Sequence, residues 1–208
     1  MTKEYFKNIL FNRKSIKVYD KNFKISNEEI LEMIDEAVSA PSSVNFQPWR
    51  FVVVNSEKGK EILSPLVKYN PRQNNTSSAM IVIFGDKKCQ EFGDEIYQSA
   101  VDKGYMPQEI KDKILPNFIN MYNNLKEEDL HNTITIDCSL VAMQLMLVAE
   151  VRGYSTNAIG GFDSKNIAEK LGLDKNRYLP ILIIAIGKKE VEGRETFRLS
   201  SEKITKFI

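Results

Sequence analysis

Histidine is nearly missing from this sequence: its 208 residues include one, His131, in a polar stretch. Cysteine is also scarce, since Cys89 and Cys138 are the only two and lie far apart. Zinc and haem sites use histidine or cysteine ligands at short spacings, and most hydrolytic triads need a histidine. The composition therefore argues against a metal centre, a histidine triad and a disulfide framework, and we expect no bound metal.

A charge excess of either sign is missing as well. The 29 basic and 28 acidic residues leave a formal net charge of +1, and they are scattered along the chain. Nucleic-acid-binding proteins concentrate basic residues on one face, so we expect no nucleic-acid partner.

Long apolar runs are the third absence. The most apolar helix candidate, Ile136 to Val151, contains Asp137, Gln144 and Glu150, so the sequence predicts that it is too short and too polar to span a bilayer. The N-terminal residues show no apolar region of the secretory type. We therefore expect no membrane partner and a location in the reducing cytoplasm.

Helical and strand-like segments alternate along the chain, without a repeat or a low-complexity linker. Trp49 to Val54, Met80 to Phe84 and Leu179 to Ile186 are apolar runs typical of buried strands. Thr135 to Arg152 is apolar on nearly every side, which predicts a central buried helix. Such strands indicate a sheet with helices on both faces, within a single domain over residues 1–208.

Residues 91–130 are polar and aromatic, and we expect helices there with breaks at Pro107 and Pro116. The aromatic side chains fit two interpretations equally well: a lid over a binding pocket, or the packed side of two surface helices. They are Tyr97, Tyr105, Phe118 and Tyr122.

The first candidate site is the stretch Arg13-Lys14-Ser15-Ile16-Lys17. In an extended chain Arg13, Ser15 and Lys17 share one face, and two steps of period two cover about 13 Å. That length is similar to the distance from the phosphate of a flavin mononucleotide to the pyrimidine edge of its ring. The same pattern also fits a solvated charged segment that leads into a turn.

The second candidate is the polar link between a helix that ends at Pro41 and the strand that begins at Trp49. Serine, asparagine and glutamine side chains there can bond a heterocycle edge or a phosphate, and two prolines stiffen the segment. The third candidate is the pair Gly160-Gly161 at a predicted strand end, where a ligand can approach the backbone closely. An ordinary loop and a plain tight turn are the respective alternatives.

Taken together, these segments resemble the nitroreductase family of FMN-dependent NAD(P)H oxidoreductases. The shared patterns are R-x-S-x-[KR] near the N-terminus, A-P-S-S-x-N-x-Q-P-W before a valine-rich strand, and I-G-G-F-D after a long buried helix. The resemblance runs from about residue 8 to the tail and is weakest over residues 91–130.

The resemblance implies an α+β fold with three α-β-α layers, in which helices flank a central mixed, largely antiparallel sheet. It also implies an obligate homodimer with an exchanged C-terminal arm, about residues 190–208. Residues 91–130 would be a variable helical insert that covers the pocket.

The matching residues acquire roles from the resemblance. Arg13 and Ser15 would hold the phosphate and ribityl end of FMN, with Lys14 contributing through its backbone or stem. Lys17 would be a catalytic cation near flavin N1 and O2, where it favours the negative charge of the reduced ring. The residues that would reach the flavin from the partner subunit are Pro41, Ser42, Ser43 and Asn45.

Gly160 and Gly161 would place backbone N–H groups near flavin N5, which makes Gly160 the second catalytic candidate. Many relatives carry an acidic residue at the position of Gly160, so any side-chain role is lost here. Arg198 would clamp the phosphate. Relatives often have a lysine two residues earlier, where this chain has Thr196, so the phosphate would rest more on Arg13 and Arg198.

An amide from residues 70–75 is also expected at the flavin. Gln73 is our choice, with Asn74 and Asn75 as the next candidates.

The implied activity is ping-pong oxidation of NAD(P)H: a hydride passes to flavin N5, and an electron-poor acceptor such as a nitroaromatic or a quinone then takes the electrons. One alternative is a non-catalytic FMN-binding sensor or storage protein. Another is the same fold with other flavin chemistry, such as enone reduction, dehalogenation or oxidation of a peptide ring. Residues 91–130 are expected to decide among these chemistries.

Overall fold

The structure, a computed structural model, describes residues 2–208. Its α-helices are α1 (Lys3–Asn12), α2 (Asn27–Ala37), α3 (Glu57–Leu63), α4 (Pro71–Thr76), α5 (Gly93–Asp102), α6 (Gln108–Asn123), α7 (Glu127–Val151), α8 (Ile167–Lys170) and α9 (Ser201–Ile204). Its strands are β1 (Trp49–Val54), β2 (Ala79–Asp86), β3 (Ser155–Ile159) and β4 (Tyr178–Gly187). Short 3-10 turns cover Ser43–Asn45, Ser64–Val67 and Cys89–Phe92.

The four strands form one sheet in the order β1-β2-β4-β3, and every strand pairing is antiparallel. This confirms the largely antiparallel sheet. The parallel part of the predicted mixed sheet is one isolated bridge, between Ser15 and Thr156 at the outer edge of β3. The Ile16 N–H donates to the Thr156 carbonyl over 3.0 Å, which fixes the segment after α1 against the sheet.

Helices cover both faces of the sheet, as the apolar strands predicted. All eight residues of β2 are buried, and their side chains alternate between two cores. Ile81 and Ile83 pack in the core that contains α2 and α7, whereas Val82 and Phe84 pack in the core that contains α3 and α8. The three-layer arrangement is therefore confirmed.

The central helix α7 begins at Glu127, earlier than predicted from the apolar pattern. Three acidic residues in its first turn favour this start because the helix dipole stabilises negative charge there. Gly153, with a φ of 73°, ends the helix as predicted. By length and composition the 25-residue α7 is long and apolar enough to cross a membrane, so the expectation that it is too short and too polar is wrong, although core helices pass the same test. Its buried side chains pack against α2 and the sheet, which accounts for its apolar composition.

The insert at residues 91–130 contains α5 and α6. Pro107 caps the start of α6, but the predicted break at Pro116 is wrong because this proline lies inside the helix. α6 continues through Pro116 while burying Leu115 and Tyr122 in a third core cluster. Proline removes one helical hydrogen bond, and packing on the buried face offsets that cost.

The aromatic residues of the insert divide between the two interpretations. Tyr97 and Tyr122 are buried and pack against Phe46, so they belong to the packed side of the helices. Tyr105 is 77% exposed and does not belong to that packed side, so the lid interpretation stays open for it.

Candidate functional site

The segment after α1 presents the predicted polar face. α1 ends at Asn12, and Arg13 is already extended, with φ −61° and ψ 115°. Ile16 is 2% exposed and packs into the core, so Ser15 and Lys17 on either side of it face outward. Arg13, Ser15 and Lys17 line one cavity of about 620 Å³.

This cavity is strongly cationic. Its six basic and two acidic side chains are Arg13, Lys14, Lys17, Arg72, Arg194, Arg198, Glu192 and Glu195. Lys14 pairs with Glu195, and Glu192 pairs with Lys189 outside the cavity lining. Within residues 2–208 the other five cations make no ion pair. The cavity therefore offers uncompensated positive charge and guanidinium donors, which suit a phosphate group.

The first part of the C-terminal arm lies over the same chain. The Glu190 N–H donates to the Val18 carbonyl over 3.1 Å. Gly193 lies so close to Lys14 that a Cβ atom added to the glycine would be 2.6 Å from the lysine Cβ. The arm thereby brings Arg198 to the cavity of its own chain.

The glycine pair contacts the stretch in which an amide was expected. The Asn70 side-chain amide donates to the Gly161 carbonyl over 3.2 Å, and the Gln73 amide donates to Asn70 Oδ1 over 3.1 Å. Gln73 lies on α4 next to Arg72, so α4 connects the glycine pair with the cationic cavity. Asn74 turns away and donates to the Lys60 carbonyl over 3.0 Å.

Gly160 and Gly161 are both exposed, and a Cβ atom added to either would meet no other atom within 4 Å. The space at Gly160 therefore accommodates a side chain. Packing within the chain does not explain why a glycine stands at this position.

The loop Pro41–Asn45, called the cofactor loop below, contributes no residue to the lining of the cationic cavity of its own chain. Pro41, Ser42 and Ser43 line a shallow cavity of about 270 Å³ together with Asp137 of α7. Asn45 lines a different cavity of about 540 Å³, between the loop and α5. Its contact with a flavin across a dimer stays a prediction.

The cofactor loop and its next residues have an uncommon backbone conformation. Val44, Asn45 and Gln47 have φ values of 42°, 55° and 47°, and they are the only non-glycine residues with positive φ in the described chain. Such a conformation is strained for a β-branched residue such as Val44, and strain of this kind concentrates at functional sites.

Comparison with known proteins identifies the relatives of this chain. The model of the nitroreductase family matches residues 10–188. The chain belongs to the nitroreductase family. It is 48% identical over 202 residues to a protein of Bacillus subtilis (strain 168) provisionally named NAD(P)H nitroreductase YdgI, covering 97% of both chains. It is 38% identical over 201 residues to the CLA biosynthesis enone reductase of Lactiplantibacillus plantarum, covering 96% of this chain and 93% of that one.

A solved structure is similarly close to this nitroreductase-family chain. The crystal structure of a provisionally named nitroreductase of Exiguobacterium sibiricum 255-15, in complex with FMN, superposes with a TM-score of 0.95. Its sequence is 47% identical, and the match covers 98% of this chain and 97% of that one.

The sequence patterns of this nitroreductase-family chain did not reveal two arginines of the cavity. Arg72 stands in the stretch that was searched for an amide, and only the fold brings it to Arg13. Arg194 lies two residues before Thr196, the position at which the resemblance led us to expect a lysine. Thr196 lines the cavity without a charge, while Arg194 supplies a cation nearby.

The cysteines and the histidine of this nitroreductase-family chain stay outside the site. Burial raises the pKa of Cys89 to about 12, and burial also raises the pKa of Cys138, so both remain thiols at neutral pH. His131 lies 3.6 Å from Glu127 at the start of α7. The charged groups at the cavity are therefore lysines, arginines and two glutamates.

Proposed function

We propose that this chain is an FMN-dependent NAD(P)H oxidoreductase that passes electrons to electron-poor acceptors such as nitroaromatics or quinones. The observation that carries the proposal is the cationic cavity that the 13–17 segment, α4 and the arm form together. It occurs in a chain that is similar over nearly its whole length to a protein crystallised with FMN.

The residues of the cavity fit FMN. A phosphate monoester carries up to two negative charges, and the cavity holds five cations without an ion-pair partner in the described chain. Arg13, Arg72 and Arg198 would grip the phosphate, Ser15 would bond the ribityl chain, and Lys14 would contribute through its backbone or stem. Gln73 is 5% exposed and lies next to the cavity residue Arg72 on α4; oriented by Asn70, it would offer its amide to the ring edge.

Bound FMN would supply the redox centre that NAD(P)H reduces and the acceptor reoxidises. The chain's own residues hold and bias that centre. Lys17 is exposed within the cavity lining and would place a positive charge beside the pyrimidine edge, which favours negative charge on the reduced ring. Gly160 and Gly161 are exposed, and their backbone N–H groups would be available to flavin N5.

We also propose a homodimer in the reducing cytoplasm. The residues of the cofactor loop line other cavities than the cationic cavity of their own chain, so we infer that the loop contacts a flavin bound to a second copy. Ile136, Leu140 and Met143 form an apolar stripe on α7 and are 61%, 44% and 40% exposed. Two of these residues line the same shallow cavity as the loop, so a second copy covering the stripe would also cover the loop.

The exposed end of the arm fits this dimer. Phe207 and Ile208 at the end of the arm have almost no contact with their own chain, with exposures of 93% and 114%. We propose that the part of the arm beyond Arg198 is the part exchanged with the partner subunit.

Absorbance spectra of the purified protein test the proposed function. We expect a yellow protein with a flavin spectrum that NADH or NADPH bleaches without oxygen and that a nitroaromatic or a quinone restores. A colourless protein that stays empty with excess FMN would overturn the proposal. A bound flavin that neither nicotinamide reduces would favour the sensor or storage alternative.

Enone reduction is the second candidate, because the chain is 38% identical to an enone reductase over 96% of its length. The 540 Å³ cavity beside Asn45 is lined mainly by the insert, including Phe92 and Tyr105, and we propose that this insert selects the acceptor. Reoxidation of the reduced protein by a nitroaromatic, a quinone and an α,β-unsaturated ketone of similar size would be timed side by side. A reoxidation that is fastest with the unsaturated ketone would favour enone reduction.

A further inference from the structure

The strained cofactor loop is held by a buried carboxylate. Both carboxylate oxygens of Asp137 accept the Ser43 N–H, each over 3.1 Å. Asp137 is 4% exposed and stands on α7, on the turn that carries Ile134 and Cys138 into the core. The buried face of a rigid helix therefore fixes the position of one backbone group of the loop.

Two tyrosines of the insert hold the next backbone groups. The Tyr97 hydroxyl on α5 donates to the Val44 carbonyl over 2.9 Å, and the Tyr122 hydroxyl on α6 donates to the Ser43 carbonyl over 3.4 Å. Burial raises the pKa of Tyr122 to about 12 and raises the pKa of Tyr97, so both hydroxyls keep their protons at neutral pH. Three helices thus bond the backbone of two consecutive loop residues.

The side chain of Phe46, the residue after the loop, packs in the core beneath it. Phe46 is fully buried and lies edge-on to both tyrosine rings, with centroid distances of 6.4 Å to Tyr97 and 4.8 Å to Tyr122. The bonds from Asp137 and the tyrosines reach only backbone groups of the loop. The side chains of Ser43 and Asn45 therefore stay outside this network.

We propose that Asp137, Tyr97 and Tyr122 are positioning residues that hold the cofactor loop in its left-handed conformation and so set its grip on FMN. The inference rests on the proposed function, because the loop is assigned to the cofactor there. It gives the insert a second role, since α5 and α6 would shape the cofactor loop as well as the acceptor pocket.

The tyrosine hydroxyls separate positioning from core packing. Changing Tyr97→Phe and Tyr122→Phe together removes both hydrogen bonds while the rings still pack on Phe46. Tyr19→Phe is the matched control, because Tyr19 is also buried and its hydroxyl donates to a backbone carbonyl, that of Ala185, over 3.2 Å. That bond lies within the sheet core and does not involve the loop.

Asp137 is tested by a pair of variants. Asp137→Ala removes every acceptor for the Ser43 N–H, whereas Asp137→Asn keeps one amide oxygen in nearly the same place. Both are compared with the wild-type protein in two measurements: amide hydrogen exchange of residues 41–47 without FMN, and the dissociation constant for FMN.

We expect Asp137→Ala and the double tyrosine variant each to speed loop exchange and to weaken FMN binding about tenfold, the factor that corresponds to about 1.4 kcal/mol. Asp137→Asn should have loop exchange and FMN affinity close to those of wild type. Tyr19→Phe should leave loop exchange and FMN affinity at the wild-type values, even if its unfolding midpoint falls.

Two results would overturn the inference: loop exchange that does not change in Asp137→Ala and in the double tyrosine variant, or faster exchange with FMN affinity unchanged. If the wild-type protein takes up no FMN, the proposed function fails, and the exchange comparison still decides whether these side chains hold the loop.

Discussion

At the scale of single residues, the cations of the cavity differ in how the protein itself neutralises them. Lys14 is paired with Glu195 of the arm and is 30% exposed as a side chain, so its charge is already compensated. Lys17 lines the same cavity and makes no ion pair within residues 2–208. An anionic ligand therefore gains more binding free energy from Lys17 than from Lys14, since the unpaired Lys17 has no existing partner to displace.

Lys17→Ala is expected to lower the two-electron midpoint potential of bound FMN by about 30 mV, a tenfold loss in stabilisation of the reduced form. The reason is the loss of the positive charge that the proposed site places beside the ring edge, which becomes negative on reduction. Lys58→Ala, on the exposed side of α3, is the control and should leave the potential unchanged. An unaltered potential in Lys17→Ala would show that this lysine does not face the ring.

Asp137 makes the stability of the FMN-free protein depend on pH. Burial raises the pKa of this carboxyl above its ordinary value of 3.8, and the bond from the Ser43 N–H offsets part of the increase. At pH values between the ordinary and the raised pKa, the folded chain binds more protons than the unfolded chain. The contribution of Asp137 to the free energy of unfolding therefore falls as pH rises through that range.

Urea unfolding of wild type and Asp137→Asn at several pH values above 4 measures this contribution. The free energy of unfolding of Asp137→Asn, relative to wild type, should increase with pH and then level off. A difference that decreases with pH would mean that the folded state favours the ionised carboxylate.

At the scale of elements, local periodicity predicted most of the fold. β1, β2 and β4 follow from continuous apolar runs, and the 13–17 face follows from strand alternation, because these signals need only neighbouring residues. The start of α7 was missed because Glu127 to Ile134 are mostly polar, and Pro116 was misjudged because packing around Leu115 is not visible in the chain. Arg72 was missed for the same reason: it joins the cavity only through the tertiary fold.

Gly85 of β2 shows a constraint that comes from tertiary packing and is not visible in the sequence. A Cβ atom there would lie 2.0 Å from Cγ2 of Ile134 on α7. Gly85→Ala should therefore cost about 1–3 kcal/mol of stability through overpacking. Ile134→Ala alone should cost about 2–5 kcal/mol through a cavity.

The double variant should be less destabilised than the sum of its parts, because the alanine methyl at residue 85 enters space that Ile134 vacates. Gly160→Ala is the control, with a change within about 0.5 kcal/mol, since no atom lies within 4 Å of its added Cβ. Chemical denaturation of the FMN-free proteins measures all four values. Strict additivity would mean that residues 85 and 134 do not share this space.

At the scale of the whole molecule, one chain carries two parts of the proposed site in two places. The cationic cavity is formed by the 13–17 segment, α4 and the arm, whereas the cofactor loop lies beside the exposed stripe of α7. Sequence patterns assigned both parts to one ligand but contain no information about their separation. Two copies related by a two-fold axis would bring each loop to the other copy's cavity and form two identical sites.

Ile136→Glu tests this assembly, because Ile136 is the most exposed residue of the stripe, at 61%, and a charge there leaves the core unchanged. If wild type sediments as the proposed dimer, we expect the variant to sediment as a monomer at the same concentration and to lose FMN. Burying an unpaired carboxylate between two copies costs several kcal/mol, whereas the same side chain on a monomer is solvated. Ile62→Glu on α3, 39% exposed on the opposite face of the sheet, is the matched control and should stay dimeric and yellow. A monomeric Ile136→Glu protein that keeps FMN at wild-type affinity would show that one chain holds the cofactor alone, and a dimer that persists would place the interface on another surface.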